Sequence, residues 1–146
     1  MTALSAAART PRLGKIARSL ALGGLLIAAV GCSNSIYQHR ETKIGAPDNM
    51  PISRVTAAIQ SAAQATEWST TMVQPGMIQA TREWGGDKHN IVVDITYDTK
   101  TYKITYKSSK NLGYNGRRIH RAYREQVVAL DTAIRARTWN MKASAQ

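Results

Sequence analysis

His120 sits among Arg117, Arg118, Arg121 and Arg124, the densest run of cations in the chain. Such a group can bind an anion, because guanidinium forks match phosphate and carboxylate oxygens. Placed at the start of a helix, it would add to the exposed N–H groups there that already favour negative charge. The opposing reading is structural: His120 packs or hydrogen-bonds against the loop from Ser109 to Tyr114, and the arginines form a solvated face. Basic residues at a helix start oppose the macrodipole, which hints at a purpose other than helix stability.

Other chemistries find less in the chain. His39, His89 and His120 fall in separate segments with no H-x-x-x-H spacing or clustered carboxylates, so neither a metal nor a cofactor is expected. Ser108 and Ser109 lie among lysines without a G-x-S-x-G elbow or a Ser-x-x-Lys pair. Asp94 and Asp98 suit solubility better than acid–base work. The expectation is a protein that is not an enzyme, with a minor hydrolase as the least supported alternative.

Cys32 is the single cysteine and follows an uncharged run, Leu20 to Gly31, itself preceded by Arg9, Arg12, Lys15 and Arg18. A basic flank, a short apolar stretch and small residues before the break mark a secretory signal peptide. The run is well short of the roughly 20 residues that a spanning helix needs. Ala29-Val30-Gly31-Cys32 resembles a bacterial lipobox, which implies cleavage between Gly31 and Cys32 and a diacylglyceryl group on the cysteine sulfur. A thiol without a disulfide partner is otherwise unhelpful in an oxidising compartment. Two or more acyl chains hold a protein stably on a membrane, whereas one does so only marginally. Ser33 stands where an aspartate would, by resemblance to enterobacterial sorting, favour the inner membrane. The expected place is therefore the outer membrane, with the domain facing the periplasm or the cell surface.

Removal of residues 1–31 leaves 115 residues and lowers the formal charge from +11 to +7, because four cations leave with the signal. One small domain fits that length. Export turns the positive charge toward phospholipid, lipopolysaccharide or peptidoglycan and away from nucleic acid. Residues 32–52 read as the lipidated cysteine and a flexible tether, since Gly45, Pro47, Asp48, Asn49 and Pro51 break regular structure. A free coil of that length reaches roughly 25 Å.

The elements that would position these groups follow from periodicity. Ser53 can cap a helix to about Thr66, with Val55, Ala58, Ile59 and Ala62 on one face. From Trp68 the period becomes two: Trp68 to Val73, the turn Pro75-Gly76, then Met77 to Trp84, where Arg82 interrupts an otherwise apolar side. After Gly85-Gly86-Asp87, the run with Ile91, Val93, Ile95 and Tyr97 pairs across a polar turn with Tyr102, Ile104 and Tyr106. Lys103, Thr105 and Lys107 then join Asp94 and Thr96 on a wet face. Asn115 would cap a last helix from about Arg117 to Arg137 on the stripe Ile119, Tyr123, Val127, Leu130 and Ile134. The predicted fold class is α+β, an antiparallel β-meander of three to four strands with an N-terminal and a C-terminal helix packed on one face. Residues 53–137 form the domain and 138–146 a C-terminal tail.

The segments Tyr102-Lys103-Ile104-Thr105-Tyr106, Ser109-Lys110-Asn111-Leu112-Gly113-Tyr114 and Ile119-His120-Arg121-Ala122-Tyr123, with Tyr97, Trp68 and Pro75-Gly76, resemble a family of short uncharacterised proteobacterial lipoproteins. Arg124 and Gln126 depart from the Asn and the aromatic residue usual there. The resemblance implies a lipid-anchored envelope protein. Its expected partners are the membrane, through the anchor, and an envelope protein or an anionic envelope polymer.

Overall fold

Alanine-rich sequence and one narrow apolar face build α1, Ile52–Ala65, which buries Val55, Ile59, Ala62 and Ala63. In this computed structural model, which describes residues 33–36 and 40–143, Pro51 rather than Ser53 is the N-cap, and no side chain caps the helix. Proline's fixed φ of −64° with ψ of 137° already has the extended geometry an N-cap requires. The helix therefore starts two residues earlier than expected.

The end of α1 is a Schellman motif. Trp68 N–H donates to Ala63 O at 2.8 Å and Glu67 N–H to Gln64 O at 3.1 Å, with Glu67 at a φ of 59° where glycine is usual. Trp68 and Ala63, both buried, supply the apolar contact of that motif. Arg82 explains its own intrusion on the apolar side. Its Nη1 donates to Thr66 O at 2.9 Å and to Glu67 O at 3.0 Å, placing a cation on the negative end of α1.

Short strands β1 (Ser33–Ser35) and β2 (Thr42–Lys43) precede α1, and β3 (Ser69–Gln74), β4 (Met77–Trp84), β5 (His89–Tyr97), β6 (Thr101–Lys110) and β7 (Arg118–His120) follow it. Strands β2 to β6 form one antiparallel sheet in the order β2-β6-β5-β4-β3, and β1 pairs with β7 apart from it. The fold is α+β as predicted, with five strands in the sheet instead of three to four. The extra strand comes from residues read as tether: Thr42 opposes Tyr102, Lys43 opposes Thr101, and Ile44 is buried beside them.

Alternation sets the two faces of the sheet. Ile78, Ile95 and Ile104 stand in register, as do Ala80 and Val93, and all five are buried. Gln79, Asp94 and Thr105 lie opposite one another on the wetter face. Both helices put their buried residues into the same core cluster as the first set, so they cover one face. A bulge between Val92 and Val93 admits Lys107 as an extra residue on β6. It brings Ser109 to the side of Tyr106, whose hydroxyl lies 3.0 Å from Ser109 Oγ.

The last helix differs most from expectation. Arg118-Ile119-His120 is extended, and α2 spans Arg121–Ala143. Ile119 points inward from a strand at the position where a helical stripe through Tyr123 would also need an apolar residue, so the spacing fits either state. Asn115 does not cap the helix. Its Oδ1 accepts N–H bonds from Arg117 at 3.1 Å and Arg118 at 2.8 Å, closing a side-chain turn in the loop. At the other end, residues 138–143 continue the helix instead of forming a tail. Thr138 is buried there because its hydroxyl bonds to Ile134 O at 2.9 Å, which lets a polar residue continue the stripe to Met141.

Candidate functional site

The cations of the 117–124 segment are displayed at one corner. Ile119 and Tyr123 turn into the core, leaving Arg117, Arg118, His120, Arg121 and Arg124 exposed around them. Three backbone bonds hold the corner: Ile36 N–H to Arg117 O at 3.3 Å, Asn115 N–H to Arg118 O at 3.2 Å, and His120 N–H to Leu112 O at 2.9 Å. Buried Leu112 and the tyrosines Tyr106, Tyr114 and Tyr123 support it from beneath, with Tyr106 4.6 Å from Tyr114 and 5.5 Å from Tyr123 between ring centres. Burial pushes the Tyr123 hydroxyl well above the ordinary tyrosine range, and neighbouring Tyr106 and Tyr114 add to that.

His120 has a local structural task. Its Nδ1 accepts the Ala122 N–H at 3.2 Å, so the imidazole caps α2 where Ser, Thr, Asp or Asn would be usual. Its backbone, rather than its ring, reaches the 109–114 loop. Arg121 is 3.7 Å from Glu125, an exposed pair one helical turn apart that contributes little by itself. The corner carries Arg117, Arg118, Arg121 and Arg124 alongside the acid Glu125.

Strand β1 ties the corner to residues 33–35. Ser33 opposes His120, Asn34 opposes Ile119 and Ser35 opposes Arg118. Gly31 and Cys32, the expected cleavage and lipid-attachment residues, lie outside the described residues. Residues 33–35 are paired, so a coil running freely from Ser33 to Pro51 is replaced by two short docked strands.

A second polar group, unforeseen from sequence, sits under α2. Tyr102 donates its hydroxyl proton to Asp131 Oδ1, and Arg135 Nε donates to Asp131 Oδ2 at 2.8 Å. Asp131 is one of the few buried polar residues, an arrangement that a paired and hydrogen-bonded charge can sustain. Burial drives the Tyr102 hydroxyl far above its usual range, and the Asp131 carboxylate beside it drives it further. Tyr102 thus stays protonated as a donor. Arg135 and Thr42 also line a groove of about 520 Å³ with Lys43, Gly45 and Trp139, whose ring is largely exposed.

The remaining candidates have ordinary partners. Asp94 meets Lys107 at 3.3 Å on the wet face. Asp98 Oδ1 accepts the N–H groups of Lys100 at 2.6 Å and Thr101 at 2.7 Å, which hold its carboxyl below the usual carboxylate range. No described helix is long and apolar enough to cross a membrane. Among the described residues no three or more His, Cys, Asp and Glu gather into a group able to hold a metal. No family model, curated protein or solved structure matches the chain.

Proposed function

We propose that the mature protein is a lipoprotein of the outer membrane, anchored through Cys32, whose domain is a non-enzymatic interaction module of the cell envelope. The observation that carries the binding role is the outward display of the 117–124 cations around an inward Ile119 and Tyr123. Support also comes from the inner polar group, where Tyr102 and Arg135 take both oxygens of Asp131 and act as a strut. The lipobox and the resemblance to short proteobacterial lipoproteins support the anchor and the envelope setting.

Radioactive palmitate tests the anchor: label enters the wild type and is absent from Cys32→Ser, and label retained in that variant overturns the assignment. The partner is tested by pull-down of the lipidated protein from envelope membranes in detergent. A protein partner co-purifies with the intact lipid-anchored protein in that detergent, and recovery of no protein overturns the interaction reading. The exposed arginines favour a second reading, binding of an anionic envelope component such as lipopolysaccharide or peptidoglycan. That binding falls steeply with ionic strength, and salt-independent or absent binding overturns it.

A further inference from the structure

The docking of β1 changes where the basic corner lies relative to the anchor. Ser33 opposes His120, and paired Cα atoms across an antiparallel ladder are about 4.5–5.5 Å apart. Cys32 is one peptide further, and successive Cα atoms are about 3.8 Å apart. Cys32 is bonded directly to a residue of that ladder, so no length of coil separates the expected anchor from the corner. A domain on a free coil could stand off by roughly 25 Å, but one whose second to fourth residues from the signal are already in a ladder is held against the surface.

We infer that the corner formed by Arg117, Arg118, Arg121 and Arg124 seats on the anionic phospholipid headgroups of the leaflet that holds the Cys32 lipid, fixing the orientation of the domain on the membrane. This rests on the lipoprotein reading. Charge complementarity selects the occupant: phosphate diesters of the leaflet are the anions nearest to the lipidated residue, and basic side chains beside a lipid anchor act as a second membrane signal. The arginines lie on the loop, on β7 and on the first turn of α2, elements joined by the Arg118, Leu112 and Arg117 carbonyl bonds. Glu125 offsets Arg121 in part, which leaves Arg117 and Arg118 as the strongest contributors. Contact with headgroups also clamps the β1–β7 ladder, whose opening would carry the anchor away from the corner.

Hydrogen exchange on the lipidated protein, reconstituted into vesicles, reads this clamp. Vesicles of phosphatidylcholine are compared with vesicles of equimolar phosphatidylcholine and phosphatidylglycerol. Exchange at Ile36, Asn115 and His120 is expected to slow in the anionic vesicles, by about fivefold for each arginine engaged. The β5–β6 turn, at the opposite end of β6, is the internal reference and keeps its rate. High salt removes the slowing. Replacing all four arginines by glutamine removes it at low salt, while replacing them by lysine preserves it. Equal exchange in the two kinds of vesicle overturns the inference, provided that mass measurement shows the lipid on Cys32. A chain recovered without lipid instead overturns the anchored reading, a failure recognised separately. Melting of each variant in detergent confirms that it is folded.

Discussion

Replacing Tyr102 by Phe removes one oxygen and leaves the ring, so the consequence reads the bonds of that hydroxyl, chief among them the one to the Asp131 carboxylate. Tyr102 is 1% exposed and Asp131 6% exposed, so solvent cannot easily replace the lost donor. A hydrogen bond to a charged group contributes about 1.5–3 kcal/mol, and an underserved buried acceptor lies at the upper end. Arg135 still serves the other oxygen, which argues for about 2 kcal/mol. For a chain of this size that lowers Tm by roughly 6–10 °C. Asp131→Asn removes the charge and leaves an amide that can still accept from Tyr102, at a cost of about 1–2 kcal/mol. Urea unfolding of the two single variants and the double variant then measures their coupling, expected at about 1–2 kcal/mol.

The same residue sets an alkaline signature. Its hydroxyl is raised in the folded state, by burial first and by Asp131 second. The associated stability is fully present below the unfolded tyrosine value of about 10 and is lost as pH rises beyond it toward the folded value. Tyr123 contributes in the same direction, so Tyr102→Phe flattens part of the alkaline decline and the double Tyr102→Phe/Tyr123→Phe variant flattens more. Additive single variants with an unchanged alkaline arm would refute the strut, and with it the reasoning that this polar group serves the fold.

Arg82→Met strips the cation from the end of α1 and frees Thr66 O and Glu67 O; urea unfolding is expected to show a loss of about 2–3 kcal/mol, whereas Glu67→Gln, which touches only an exposed ion pair, costs under about 1 kcal/mol. Gly76→Ala places a Cβ 2.9 Å from Tyr97 O at a φ of +81°, and thermal melting should reveal about 2–3 kcal/mol of destabilisation from the left-handed conformation and the clash. Asp98, whose carboxyl is held low chiefly by the Lys100 and then the Thr101 N–H, stabilises the fold above the ordinary aspartate value of about 4. That contribution disappears as pH falls through the folded value. Asp98→Ala removes this part of the acid dependence and costs about 1 kcal/mol at neutral pH, both measurable by melting across the acid range.

Elements whose pattern lies within one stretch of chain were legible from residue order. Strands β4, β5 and β6 carry alternation long enough to declare a face, and Met77 to Trp84 begins and ends where expected. Helix α1 is visible from the spacing of Val55, Ile59 and Ala62, and every member of the second stripe from Ile119 to Ile134 is buried. The arginines were legible as a cationic group because they are adjacent in the chain. Features that depend on distant partners were not legible in that way. Strands β1 and β2 have three and two residues, too few for any period, and exist because β7 and β6 supply their backbone partners from far along the chain. Arg82 looked like an interruption until α1 placed two carbonyls above it, and the buried place of Asp131 depends on β6 bringing Tyr102 beneath it. Ile119 satisfied helix and strand alike, and only the ladder with β1 selected the strand. That ladder also docks residues 33–35, read from sequence as tether, beside the arginine corner. Hydrogen bonds between remote backbone segments leave no mark in residue order, although they decide which groups share a surface.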